Sequence, residues 1–163
     1  MAILIDGFNL IYKFPELERL MYAGNLSGAR IGLLNKLKEY RNITKLNITV
    51  IFDGKKDQSL EIKKECIKSI DVYYSLDYSA DFLIKQFVKK DLNPRMITVV
   101  TSDKDIIDYV IRFKAKVKTS DDFFKHINAT IAAYCDSPEP EKNENPVLDE
   151  EEILFWENQF KKN

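Results

Sequence analysis

Alternating strand-like and helix-like segments predict an α/β domain: a parallel sheet with helices on both faces. Three observations carry that reading. Apolar β-rich runs recur at Ala2–Ile5, Ile48–Phe52, Val72–Tyr74 and Met96–Thr101, with helix-periodic stretches between them. Met96–Thr101 is an apolar run broken only by threonines, as expected of a central strand buried on both faces. Each of the four runs also stops at or shortly before an acid: Asp6, Asp53, Asp81, and Asp103 with Asp105 next.

The first strand is expected over 2–6. Phe14–Met21 reads as a short helix with Pro15 near its start. Ser27 is expected to cap a longer helix to about Arg41, with Ile31, Leu34, Leu37 and Lys38 along one stripe. The second strand is expected over 46–53, and the Lys- and Glu-rich stretch 57–68 as a loose helix or a loop. The third strand falls at 70–75. Ser79 is expected to cap a helix through Lys90 that buries Phe82, Leu83 and Phe87. Asn93-Pro94 marks a turn, the fourth strand follows at 96–101, and a helix over 104–113. Lys116–Lys118 reads as a short fifth strand at an edge, because charges flank its single valine. Thr119 or Ser120 opens a last helix to Cys135.

Composition then shifts. Residues 136–147 form an acidic, proline-rich linker with nothing to bury. Asp149 and Glu152 resemble a capping box opening a helix over 148–163, with Leu148 and Ile153 at the staple positions. Ile153, Trp156 and Phe160 share one face, so this short helix should dock on the domain or on a partner. The domain organisation expected is therefore 1–135, a linker at 136–147, and a terminal helix at 148–163.

Composition excludes several classes. The chain has 163 residues, 45% hydrophobic and 31% charged, which suits a globular domain with a real core. No apolar run is long enough to span a membrane. The first strand begins at Ala2, so no signal peptide is expected, and Cys66 and Cys135 read as reduced thiols of a cytoplasmic protein. His126 is the only histidine, which rules out any site needing two. Residues 1–135 carry 22 Lys and Arg against 17 Asp and Glu, net +5, whereas 136–163 carry 3 against 9, net −6. If several acids gather at one site, the remaining surface of the domain is basic and suits a polyanion.

In a parallel sheet all carboxyl ends lie along one edge, so Asp6, Asp53, Asp81, Asp103 and Asp105 should converge there. A cluster of unpaired carboxylates is unfavourable, and a bound divalent cation is the simplest reason for one. Oxygen-only ligands select hard cations such as Mg²⁺ or Mn²⁺. With such an ion, phosphodiester hydrolysis needs no side-chain nucleophile. Asp6-Gly7-Phe8-Asn9 suggests a tight turn that lets Asn9 face the same pocket. Asp53 reads as a ligand or a supporting acid. Asp103 and Asp105, two apart around a turn, can face one cation. Asp108 reads as solvated, Asp121 and Asp122 as capping acids, and His126 as a surface or satisfied core residue. Asn9, Ser102, Lys13, Lys55, Lys56 and Lys104 are the candidate phosphate contacts. Tyr12 and Phe8 could stack on bases, with core packing the competing fate of Phe8.

The segments Ile3-Leu4-Ile5-Asp6-Gly7-Phe8-Asn9, Phe52-Asp53-Gly54, Ala80-Asp81 and Thr101-Ser102-Asp103-Lys104-Asp105, with Glu152–Trp156 near the end, resemble the YacP-like ribonucleases among the NYN domains of the PIN-like nuclease superfamily. The resemblance covers most of the chain, in order. It implies a Rossmann-like three-layer PIN/NYN domain with a central parallel sheet, plus a short C-terminal helix. It further implies endonucleolytic cutting of RNA with Mg²⁺ or Mn²⁺, and metal held by Asp6, Asp81 and Asp103. Messenger RNA at the ribosome is a family-level expectation for the substrate and partner. A receiver domain is excluded because the third strand ends in Tyr73-Tyr74-Ser75. A haloacid-dehalogenase phosphatase is excluded because Asp6-Gly7-Phe8 lacks its second aspartate. The remaining alternative is a module that binds RNA or the ribosome without cutting.

Overall fold

The computed structural model describes residues 1–54, 63–75 and 78–136, for 63–65 the backbone alone. Met1–Ile131 form one compact unit, and a second begins at Ala132. Lys55, Lys56, most of the linker and the segment 148–163 lie outside the described residues.

The first unit is built on a six-stranded sheet: β1 (Ala2–Asp6), β2 (Asn47–Phe52), β3 (Lys63–Ile67), β4 (Ile70–Tyr74), β5 (Ile97–Val100) and β6 (Lys116–Lys118). The spatial order is β3-β4-β2-β1-β5-β6. β1 lies at the centre, parallel to β2 and to β5, with Ile5 opposite Val50 on one side and Val100 on the other. β4 is parallel to β2 and β6 to β5. Every strand but β3 therefore ends on the same edge. β3 is antiparallel to β4, joined by a tight hairpin in which Lys68 and Ser69 take positive φ. This corrects the expected loose helix or loop within 57–68, of which 57–62 lie outside the described residues. The signal was hidden because Lys63–Ile67 sits at the sheet edge, where charged residues are normal.

Helices cover both faces. α1 (Gly7–Ile11), α2 (Pro15–Tyr22), α3 (Leu26–Thr44) and α6 (Ser120–Cys135) enclose a core with Leu10, Leu17, Leu34, Phe123 and Ile127 against Ile5, Val50 and Phe52. α4 (Ala80–Lys90) and α5 (Lys104–Ile111) enclose the other, with Leu83, Ile84, Ile106 and Val110 against Leu4, Ile51 and Val99. The layers are thus α/β/α. The helices after β1 lie on one face and α4, which leads to β5, on the other. β1 and β5 therefore flank the topological switch point, where open α/β sheets place their sites.

Several expectations change in detail. Gly7 does not make a turn; it opens α1, and a Cβ there would lie 2.5 Å from the Phe52 ring, so glycine permits that ring's close approach. Asn25, not Ser27, caps α3, accepting a hydrogen bond from the Gly28 amide at 2.9 Å. Starting the helix earlier turns Ile31 outward and buries Ala29, Leu33, Leu34, Leu37 and Tyr40. Asn93-Pro94 leads into a single 3-10 turn, Pro94–Met96, rather than a simple turn. Ser79 does cap α4, accepting from the Phe82 amide at 3.0 Å. Leu83 is buried as expected, but Phe82 remains exposed. No described helix is long and apolar enough to cross a membrane.

Candidate active site

The carboxyl edge of the sheet carries two distinct arrangements of acids. The first sits where β1 and β5 end. Asp6 closes β1, and its Oδ2 accepts a hydrogen bond from the Thr101 hydroxyl at 3.3 Å. The same hydroxyl oxygen accepts from the Asp103 amide at 3.1 Å, so Thr101 joins the first acid to the turn that carries the third. Asn9, one helical turn on from Asp6, accepts from the Ser102 amide at 3.0 Å and from the Ser120 hydroxyl. Because a backbone N–H donates to it, that atom is the amide oxygen. Ser102 Oγ in turn accepts from the Ser120 amide at 3.1 Å. Three strand ends, those of β1, β5 and β6, are laced together through side chains at this point.

Asp6 is the perturbed group. Its pKa is raised from 3.8 to about 6, chiefly by desolvation; the hydrogen bonds from the Thr101 hydroxyl and the Asn9 backbone N–H oppose the rise, and the like charges of Asp103 and Asp53 add to it. The repulsion places Asp53 and Asp103 in electrostatic reach of Asp6. Among the described residues no Lys or Arg forms an ion pair with it. Asp53, just past β2, accepts from the buried Ser75 hydroxyl at 3.2 Å. Asp103 is the N-cap of α5, accepting from the Asp105 amide at 2.9 Å.

The second arrangement spans α4 and α5. Lys85 Nζ lies 2.6 Å from Asp105 Oδ2 and 3.3 Å from Asp81 Oδ1. That Asp81 oxygen is shut off from solvent, and the Lys85 ammonium pairs with it. The Lys85 pKa is raised and that of Asp105 lowered, each first through the hydrogen bond between them. Asp105 thus turns to Lys85, while Asp103 stays at the turn. The two acids do not face one point, because capping fixes the first and the lysine draws the second. Among the described residues, no three His, Cys, Asp or Glu side chains come close enough to hold one metal ion.

The other candidates separate clearly. Lys13 pairs with Asp121 at 3.2 Å. Lys104 is exposed. Phe8 packs edge-on against Phe52 at 5.3 Å and belongs with the core, whereas Tyr12 is exposed. Asp108 is exposed, and His126 meets the Tyr40 hydroxyl at 3.1 Å. Sequence reasoning missed Ser75, Ser120 and Lys85, and missed the part played by the Thr101 hydroxyl. Lys85 had a legible signal, four residues after Asp81 on one helix face. Ser75 and Ser120 had none beyond a hydroxyl at a strand end.

The donor set suits a hard cation in kind. Asp6 is desolvated, faces two like charges and has no counter-charge among the described residues, whereas Asp81 and Asp105 are paired with Lys85. Magnesium needs only one or two carboxylates, the rest of its shell being water and substrate phosphate. The absence of a three-acid cage among the described residues is compatible with that ion.

A family model, the YacP-like NYN domain, matches residues 3–158. The chain belongs to the YacP-like NYN domain family. It is 32% identical over 103 residues to the uncharacterized protein YacP of Bacillus subtilis (strain 168), a match covering 62% of this chain and 59% of that relative. The crystal structure of Rae1 (YacP) from Bacillus subtilis shares its fold, with a TM-score of 0.67 and 23% identity, covering 100% of this chain and 95% of that one. A W164L mutant of the same protein superposes with a TM-score of 0.64 over 79% and 76% of the two chains. The match to that curated relative spans 59% of its length, and the family is nuclease-like at a coarse level.

Proposed function

We propose that this protein is a metal-dependent endoribonuclease that hydrolyses RNA phosphodiester bonds with Mg²⁺ or Mn²⁺. The observation that supports it is the Asp6 carboxyl, desolvated at the switch point beside Asp53 and Asp103 and without a basic partner among the described residues. Such an arrangement is costly unless a cation offsets it.

Asp6 and Asp103 are the first candidates to hold that ion, with Asp81 and Asp53 nearby on the same edge. When bound, it would activate water and neutralise charge on the phosphate. The protein's own contribution is positional. Thr101 orients the Asp6 carboxylate and the Asp103 turn together. Asn9 holds Ser102 and Ser120 so that the ends of β5 and β6 keep their register with β1. Lys104, exposed beside Asp103, is available to a backbone phosphate. Lys13 reaches one only by leaving Asp121. The messenger and ribosomal expectations rest on the family resemblance.

One observation favours the second reading, a non-cutting RNA-binding module: no three described acids share one point. Incubating the purified chain with RNA decides between them. The nuclease reading expects cleavage with Mg²⁺ or Mn²⁺, none with EDTA, and none from Asp6→Asn or Asp103→Asn. Wild-type protein that binds RNA and never cuts it, with variants that bind equally, establishes the binding module.

A further inference from the structure

Two large aromatic side chains flank Asp81 and face outward. Tyr78 and Phe82 stack on one another, ring centroids 4.9 Å apart and 20° from parallel, yet remain 49% and 42% exposed. Among the described residues no other stacked pair leaves both rings so open: Phe52, the partner of Tyr74, is fully buried. Other large apolar side chains, such as Tyr22 and Leu92, are exposed too, which is ordinary for a protein surface.

A purely structural role would be a hydrophobic staple at the start of α4. That motif joins the residue before the cap to the fourth helical residue, here Tyr78 to Leu83. Leu83 instead turns into the core at 3% exposure. Tyr78 stacks on Phe82, whose own amide is held by the cap Ser79. The first turn of α4 is thus fixed by the cap and by Ala80, Leu83 and Ile84 beneath it. The ring pair projects from that fixed turn, at the sheet edge where β1 and β5 also end.

We propose that Tyr78 and Phe82 form a platform on which an unpaired base of the RNA stacks, making the site selective for single-stranded over duplex RNA. Aromatic rings take up the π-face of any base, and a paired helix keeps its faces covered. This deepens the nuclease reading and rests on RNA being the ligand. It does not require cutting.

The test uses the full chain in EDTA, so that no substrate is consumed. The probe is a short single-stranded RNA carrying one 2-aminopurine, compared with a duplex of the same sequence. Wild type should bind the single strand more tightly and quench the probe. Tyr78→Leu and Phe82→Leu should weaken single-strand binding by about 5- to 150-fold, the usual range for losing one stacked base. Duplex binding should hold, and Phe82→Trp should restore quenching. Unchanged single-strand affinity in both leucine variants overturns the proposal, as does a fall in melting temperature with affinity retained, which would assign the rings to packing within the chain. A wild type that quenches the probe but never cleaves with Mg²⁺ or Mn²⁺ removes the nuclease reading and leaves the platform standing. One that cleaves while the leucine variants bind unchanged does the reverse.

Discussion

The two acid groups on one sheet edge handle like charge in opposite ways. At the ends of β1 and β5, Asp6 is desolvated and meets Asp53 and Asp103 with hydroxyls and amides but no described cation. Across α4 and α5, Asp81 and Asp105 share the Lys85 ammonium. The second group carries a counter-charge of its own. The first gains most from an added cation, and its neutral protein donors orient the carboxylate without cancelling its charge. A helix offers a cheap internal cation at i, i+4, while a strand end in mid-sheet offers no such neighbour. The contrast teaches that acids on the same edge need not have the same role.

The strongest way to break the comparison is to remove the uncompensated charge. Asp6→Asn should abolish RNA cleavage, exceeding the roughly 10- to 100-fold loss typical of groups that only support a metal ligand. The same change should raise the metal-free melting temperature at neutral pH, because it relieves repulsion and the desolvation of an anion. Activity assays and thermal melts on one preparation check both. A variant that is dead and also unstable would place Asp6 among residues needed simply for folding.

The pH dependence sharpens it. Asp6 in the folded protein holds its proton to about pH 6, whereas in the unfolded chain it releases it near 3.8. Between those values the folded state binds more protons, so this group's contribution to stability falls as pH rises through the window. The full difference is about 3 kcal/mol, reached above pH 6. Urea unfolding of metal-free protein at pH 4, 5, 6 and 7 should show that decline, and Asp6→Asn should flatten it. Saturating Mg²⁺ should flatten it too, from above, if the ion binds the deprotonated form.

Much of this was legible in residue order, and the remainder was not for identifiable reasons. The apolar runs place β1, β2, β4 and β5 within a residue or two, because strands buried on both faces leave a continuous signal. Each candidate acid follows from its position past such a run. What the runs could not show is direction of side chains: Asp103 and Asp105 are two residues apart, yet capping turns one to the α5 amide and a lysine on another helix takes the other. β3 was hidden because an edge strand rich in Lys and Glu has no apolar signature. Phe82 looked like a core residue by type; its place in the first turn of α4 put it outside instead.

Asn9→Ala tests whether the first group is held by its hydrogen-bond lacing. Two donors, the Ser102 amide and the Ser120 hydroxyl, would lose their acceptor in a partly buried setting. The expected cost is about 2 kcal/mol, from polar groups left without partners. Denaturant unfolding should show it as a lower midpoint with an unchanged slope. Asn9→Asp should lose less, because its oxygen still accepts, although it adds a charge near Asp6.

Lys85→Met makes the second group resemble the first. Methionine keeps most of the length of the side chain and removes the cation, so Asp81 Oδ1 loses the Lys85 charge that reaches it. The pair is partly exposed, and screening limits the stability loss to about 1 kcal/mol or less. The informative measurement is therefore the difference between melts with and without Mg²⁺. Wild type should gain stability from the ion through the first group alone. If both groups obey the same electrostatics, Lys85→Met should gain more, because Asp81 and Asp105 then also lose the ammonium they share. Equal gains would mean that the spacing between α4 and α5 suits an ammonium and not a divalent cation, and that the metal-holding role belongs to the β1–β5 side alone.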